Sequence, residues 1–459
     1  MKQIVEDLIS LLIICRGEAY IVGGYIRDKL LNFKELPKDI DIVYKGDLNV
    51  YIDKLKSKGY NFFQLNKELG IYRIIVKDKI VDITKMKGNC IEEDLAKRDF
   101  TINSIAFKLM DNKIIDPFEG RKDIKTKTLR QVNENVIGED PVRILRGIRF
   151  YIKYGLHFTK STEETIFFQV QNISKCAKER VFSEFMNIIQ CDNSGIAFDL
   201  LDKYNVLKNL LPYIDDLKCI GKCKYHIVDA FTHMNISYKY FKKIFKDRQK
   251  FMGFNIEFLN KNLGGFCLKD YTAFATFAHD IGKFKCYKNN NGKVSFYGHN
   301  ISGAKIANNF CNYFKFPKKA VKLITTVIEA HMYPLGIFKN FNSNYKKHFY
   351  NFFYKYDRYV PYILIVSFCD VYATRSLLDP ENELEKYKKF IKNLFKEYYI
   401  YRSILDKRIL KGDEIKNVIE IESNKIGKVI DYINKIAYIN GIKDKDNIIS
   451  YIRSNKKYF

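Results

Sequence analysis

Proline and glycine are scarce in this chain of 459 residues, at 8 and 24 respectively. Both interrupt helices, so their scarcity favours long helical stretches and leaves little material for flexible linkers. Acidic residues are also in deficit: 53 Asp and Glu face 79 Lys and Arg, a formal net charge of +26. Part of that excess goes with a Lys-, Ile-, Asn- and Tyr-rich usage, but the positive field remains and calls for a polyanionic partner. RNA, DNA and an anionic membrane all satisfy it, and charge does not rank them. No run reaches the roughly 18 apolar residues of a spanning helix. The longest candidate near the start, Leu8 to Cys15, follows Glu6 and Asp7 rather than a basic segment, so no signal peptide is expected. The ten cysteines are scattered. Only Cys219 and Cys223 are close, and no second pair completes a zinc site, which points to reduced thiols in a cytoplasm. No internal repeat stands out.

What is present divides the chain. Ala19 to Val22 reads as a strand ending in Gly23-Gly24, with a helix over Ile26 to Asn32. Asp39-Ile40-Asp41-Ile42-Val43 alternates as a strand with one buried face. Tyr72 to Val76 and Lys79 to Thr84 suggest two more strands around a Lys77-Asp78 turn, and Thr101 to Lys108 reads as helix. From about Pro141 the strand signals fade and helix dominates, with breaks near Leu211-Pro212, Gly264-Gly265, Asn289 to Gly292 and Leu378 to Glu381.

Three clusters carry chemistry. In the first, Gly23-Gly24 lets the backbone approach a triphosphate, and Arg27 offers a fork to phosphate oxygens. Asp39 and Asp41, two apart on a strand, point the same way. Such a pair repels unless a cation lies between, as Mg²⁺ does when it holds an attacking oxygen and a phosphate. A lone DxD is more often a solvated strand face; the preceding glycines argue against that here. The second cluster, Lys97-Arg98-Asp99-Phe100-Thr101-Ile102-Asn103-Ser104, supplies a phosphate donor and groups that bond ribose hydroxyls, or simply a helix cap at Asp99 or Thr101. In the third, Glu139 to Phe150, Pro141 suits a first helical turn with Asp140 at the cap. Asp140, Arg143, Arg146 and Arg149 then recur every third residue as a slow spiral. Acid and guanidinium together match the edge of a base; the plainer alternative is an amphipathic basic helix.

The order GGxxRD, DxD, RDFTINS, EDPxRxLRxxRF resembles class II tRNA nucleotidyltransferases and bacterial poly(A) polymerases of the polymerase β superfamily. Asp116-Pro117-Phe118-Glu119-Gly120 and Glu179-Arg180-Val181-Phe182-Ser183-Glu184 extend the likeness across residues 17–215. The resemblance implies that Asp39 and Asp41 bind catalytic Mg²⁺, that Gly24, Arg27 and Arg98 hold the nucleotide, and that Asp140 and Arg143 read its base with Arg146 and Arg149 nearby. Lys97 stands where the family often has Arg and loses the bidentate fork. Asp82 is a candidate third carboxylate.

A second set follows: His233, His279-Asp280, His299, His331 and Asp370. Their order, with Ala278-His279-Asp280-Ile281-Gly282-Lys283, resembles the HD phosphohydrolase superfamily, which implies a further divalent metal of unspecified identity. His157, His226 and His348 fall outside the order and read as structural. Leu410 to Ile415 and Lys425 to Ile430 resemble the C-terminal part of tRNA nucleotidyltransferases, which implies a grip on the tRNA body; a bare interaction helix is the alternative.

The expectation is therefore an α+β protein with a polymerase-β-like head of mixed sheet and helices, followed by all-α neck, HD and tail domains. The boundaries are 1–140 for the head, 141–215 for the neck, 216–378 for the HD-type domain and 379–459 for the tail. The implied activity is CCA addition to tRNA from CTP and ATP, in the cytoplasm and without a membrane partner. The alternatives are a poly(A) polymerase, a CC- or A-adding enzyme, a phosphohydrolase with a nucleotide-sensing head, or a non-enzymatic RNA-binding protein. Oligomeric state is left open.

Overall fold

The computed structural model describes residues 10, 14–32, 39–66, 70–76, 79–222, 227–246, 250–291, 293–341, 344–407, 409–419, 422–442 and 444–454. Most of the Leu8 to Cys15 run, the Lys77-Asp78 turn, Cys223, His226 and Gly292 lie outside them. The chain forms two compact units: Met1–Cys191 with Leu200–Asn209, and Asp192–Asp199 with Leu210–Phe459. Among the described residues the cysteines are free, and no described helix is long and apolar enough to cross a membrane.

The first unit is built on a seven-stranded sheet of order β3-β4-β5-β2-β1-β6-β7. Its strands are β1 Glu18–Val22, β2 Asp39–Lys45, β3 Phe62–Asn66, β4 Ile71–Val76, β5 Lys79–Lys85, β6 Ala106–Lys108 and β7 Lys113–Ile115. The pair β2·β5 is parallel and its neighbours are antiparallel, so the sheet is mixed. Helix α1, Gly24–Leu30, leaves β1 directly. Helix α2, Leu48–Ser57, is capped by Asp47, whose carboxylate accepts from the amides of Asn49 and Val50. Alternation decides the faces: Ile40, Ile42, Ile74, Val81 and Ile83 point into a core shared with Tyr51, Ile52 and Leu55 of α2. On the opposite face, toward β1 and β6, Tyr20, Val22 and Val43 pack against Ile91 and Leu95 of α3, Ile91–Ala96.

One expected helix is absent. Thr101 to Lys108 is a single 3₁₀ turn, Thr101–Asn103, followed by β6. The exposed edge of β1 takes Ala106, Phe107 and Lys108 opposite Val22, Ile21 and Tyr20, and that pairing overrides local helix preference. After Pro141 the unit is mainly helical: α4 Val142–Tyr154, α5 Lys160–Gln169 and α6 Lys178–Cys191. Pro141 occupies the cap of α4, not its first turn, and no side chain caps that helix; the carboxylate of Asp140 is taken by Arg180 instead. Gly155 ends α4 at φ +64°, a conformation that favours glycine.

The second unit is mainly helical, with short two-stranded ladders such as Lys250–Phe251 with Phe254–Asn255. Helices α7 Ala230–Phe245, α8 Leu268–Ala278, α9 His299–Tyr313, α10 Lys318–Ala330 and α11 Val360–Arg375 enclose the histidine-rich segment, and α12 Glu383–Lys407 packs on α11. Helix α11 is apolar nearly all round because it is buried nearly all round; Asp370 is its one buried carboxylate.

Candidate active site and metal centre

In the first unit, Asp39 and Asp41 share the open face of β2, as their spacing required. Asp82 stands opposite Asp41 on β5 and is held bidentately by Arg73 at 2.8 and 2.7 Å. Gly23 closes β1 at φ +72°, ψ −134°, a conformation closed to other residues. A Cβ there would lie 3.3 Å from Arg98 Nη1 and 3.4 Å from Asp41 Oδ2, so Gly23, Arg98 and Asp41 converge on one point. Crowding by protein raises the Asp41 pKa; Arg98 opposes the shift, and Asp82 and Asp39 add to it. Asp82 is already compensated by Arg73, whereas the repulsion between Asp39 and Asp41 on the same strand face is one a cation would relieve.

The motif residues behind this face are wired together rather than open. Arg27 is buried, and its guanidinium donates to Asp28 at 2.7 Å, Asn103 Oδ1 at 2.6 Å and the Tyr154 hydroxyl at 2.5 Å. It also lies over the rings of Phe150 and Tyr154. Asn103 donates to Asp99 at 2.9 Å, and Asp99 Oδ2 lies 2.6 Å from Arg146 Nε. Asp99 is fully buried; burial alone would raise its pKa, but Arg146, Asn103 and the Phe100 amide hold it below the usual value. This chain of polar contacts ties α1 and the RDFTINS segment to α4. Replacing Arg27 with Ala removes one partner of a buried charge network, which costs about 3–5 kcal/mol. Thermal unfolding of Arg27→Ala should show that loss as a clear drop in Tm.

The spiral on α4 meets a different partner at each step. Asp140 is gripped by Arg180 at 3.1 and 2.6 Å. Arg143 donates to the carbonyls of Lys97 at 2.8 Å and Val136 at 3.0 Å. Arg146 turns to Asp99, and Arg149 pairs with Glu184 at 2.7 Å. Arg180 is the residue that sequence reasoning did not place in the site, although its motif was visible; only packing of α6 against α4 brings it to Asp140. Of the glycine pair, it is Gly23 that takes the positive φ and lies beside Arg98 and Asp41.

In the second unit the six predicted residues gather. The ligand atoms of His233, His279, Asp280 and Asp370 lie within 4.8 Å of one another, as do those of Asp280, His299 and His331. His279, His299 and His331 repeat one device: Nδ1 donates to the carbonyl three residues earlier, at 2.8, 2.8 and 2.7 Å. That bond turns each Nε2 inward as a donor atom. Asp280 faces both groups, with Oδ2 3.2 Å from His279 and 3.4 Å from His233, and Oδ1 3.1 Å from His299. Lys283, quoted in the signature but not singled out, places Nζ 2.6 Å from Asp280 Oδ2. A cavity of about 920 Å³ opens on the cluster, lined by Lys283, Tyr297, His299, Arg375 and Asp370 among others.

Electrostatics without a cation are strained in a specific way. Burial favours a neutral His279, but Asp280 and Asp370 outweigh it and raise its pKa to about 10. Burial and the neighbouring His279 and His299 lower His331 to about 3. In the metal-free protein the His279 charge contributes stability that is fully present below the unfolded pKa of about 6.5 and is lost as pH rises through about 10. A metal ligand must be neutral imidazole, so metal uptake near pH 7 should release about one proton, and affinity should rise with pH. Calorimetric titration in buffers of different ionisation enthalpy measures this; uptake with no proton release contradicts the assignment of His279.

Two family models match this chain, both within residues 19–218. Residues 19–130 match the poly A polymerase head domain, and residues 155–218 match the probable RNA and SrmB-binding site of polymerase A. The CCA-adding enzyme of Blochmanniella floridana is 31% identical over 225 residues, covering 45% of this chain and 53% of that enzyme. The CC-adding tRNA nucleotidyltransferase of Halalkalibacterium halodurans is 35% identical over 150 residues, covering 32% and 38%. The chain thus spans about half or less of these relatives' own lengths. The solved Thermotoga maritima CCA-adding enzyme complexed with tRNA shares the fold, with a TM-score of 0.65 at 20% identity, covering 99% of this chain and 95% of that one. The head-domain match lies within the first unit, and the second match begins there and runs into the second. Over these segments the chain is similar to CCA-adding enzymes and poly(A) polymerases.

Proposed function

We propose that this chain builds the CCA terminus of tRNA from CTP and ATP without a template. The observation that carries the reading is the convergence of Asp41, Gly23 and Arg98, with Asp39 and Asp82 on the same sheet face. Asp39 and Asp41 would hold Mg²⁺, and the chemistry it supplies there is activation of the RNA 3′-hydroxyl and stabilisation of the leaving pyrophosphate. Arg98 sets a guanidinium beside the triphosphate, where Gly23-Gly24 leaves room for it. Asp140 and Arg143 present an acceptor and donors to the base edge, Arg143 held by main-chain carbonyls and Asp140 by Arg180. Arg146 and Arg149 brace α4 through Asp99 and Glu184. Arg27, satisfied by protein, serves by holding this frame.

In this reading the head is 1–140, the neck 141–215, an HD-type domain 216–378 and a tRNA-gripping tail 379–459, all acting in the cytoplasm. The HD-type domain is a second, metal-dependent phosphohydrolase site, supported by its two donor groups sharing Asp280. Relatives that add only CC favour one alternative, a partial adder.

The deciding experiment supplies transcripts ending before CCA, before CA and before the final A, with CTP, ATP or both. Growth that stops at CCA supports the reading. Addition of CC alone or A alone makes the protein a partial adder, long A tails make it a poly(A) polymerase, and no incorporation overturns the proposal.

A further inference from the structure

Among the described residues, the carboxylate face of the sheet is covered on one side and exposed on the other. Toward β1 it lies under α3; toward β3 and β4 it exposes large apolar side chains. Phe63 is 55% exposed and Ile75 52%. Strand register ties both to the carboxylates. Asp41 stands opposite Asp82, Asp82 opposite Arg73, and Arg73 opposite Phe63. In the adjacent row Asp39 stands opposite Ile80, and Ile80 opposite Ile75. Paired residues share a face, so one continuous surface runs from Asp39 and Asp41 across Ile80 and Arg73 to Ile75 and Phe63. Three strand spacings put Phe63 about 14 Å from Asp41, and two put Ile75 about 10 Å from Asp39.

We infer that this platform binds the unpaired bases of the RNA immediately upstream of its reacting 3′-hydroxyl; the inference rests on the nucleotidyl-transfer reading. Geometry selects this occupant. In a displacement at phosphorus the attacking and leaving oxygens lie roughly in line, on opposite sides of the α-phosphorus. Gly23 and Arg98, which receive the triphosphate, stand on the β1 side of Asp41. The attacking hydroxyl therefore arrives from the β5 side, and the strand behind it passes over β4 and β3. There it meets a ring, a branched aliphatic chain and the plane of Arg73, whose guanidinium is fixed by Asp82. Bases stack on aromatic rings and guanidinium planes whatever their sequence. A surface that must accept a 3′ end whose last bases change at each addition needs that tolerance, and a base-specific hydrogen bond would defeat it.

The test compares the parent chain with Phe63→Ala and Phe63→Tyr. Loss of one stacked base corresponds to roughly a tenfold rise in KM for a transcript ending before CCA. KM for CTP and kcat at saturating RNA should not change, and Tm should hold because the ring is exposed. Phe63→Tyr should behave as the parent. 2-Aminopurine placed in turn at the last unpaired positions should be quenched by the parent and less so by Phe63→Ala. Unchanged RNA KM and unchanged quenching overturn the inference, as does a rise confined to KM for CTP. A change in oligomeric state by light scattering, with RNA KM untouched, makes the face a protein contact and also overturns it. A parent chain that extends no RNA overturns the function itself, and the inference with it.

Discussion

Asp41→Ala is expected to incorporate nucleotides at least about a thousandfold more slowly than the parent, with its fold intact. Metal-borne charge stabilisation is worth several kcal/mol, and each 1.4 kcal/mol is tenfold in rate. Asp41 stands at the meeting point of Gly23 and Arg98, so no neighbouring carboxylate takes its place. Stability should move the other way. The raised pKa of Asp41 means the fold disfavours its charged form, so this group costs stability once pH exceeds its unfolded value. Asp41→Asn should therefore unfold at a slightly higher temperature than the parent at pH 7 in the absence of metal. Single-turnover incorporation and thermal unfolding, measured on the same samples, test both halves. Retained incorporation would remove Asp41 from the site, whereas a fall in Tm would show that its carboxylate is structural.

Asp280→Asn is expected to abolish hydrolysis of a chromogenic phosphate diester and to strip bound divalent metal, while CCA addition continues. The reason is position: Asp280 is the carboxylate common to both donor groups. Its loss also leaves Lys283 and His279 without their nearest counter-charge, a disruption of about 3–5 kcal/mol in a buried network. His331→Ala separates function from folding, because burial and its histidine neighbours keep that ring neutral without metal. It should lose hydrolysis with less effect on Tm. Metal content by elemental analysis, diesterase rate and nucleotide incorporation are the three readouts. Hydrolysis that survives both substitutions would refute a catalytic role for the cluster.

The sequence determined which residues carry charge chemistry and, through strict alternation, which strand face bears Asp39 and Asp41. It also determined the mixed head and the helical remainder, since period and the scarcity of Pro and Gly are local properties. The His and Asp set was legible through the resemblance of its order to the HD superfamily, a property of the linear sequence. Partnership was not legible. Arg27 and Arg98 both read as phosphate donors, yet packing buries Arg27 among Asp28, Asn103 and Tyr154 and leaves Arg98 beside Gly23. Arg180 reaches Asp140 only because α6 lies against α4. Thr101 to Lys108 has the makings of a helix, and only the unpaired edge of β1 draws its second half into the sheet. Likewise Phe63 and Ile75 are ordinary strand residues until register aligns them with the carboxylates. Hydrogen-bond and ion partners distant in sequence are chosen by how elements pack, because each buried polar group must find a partner in three dimensions.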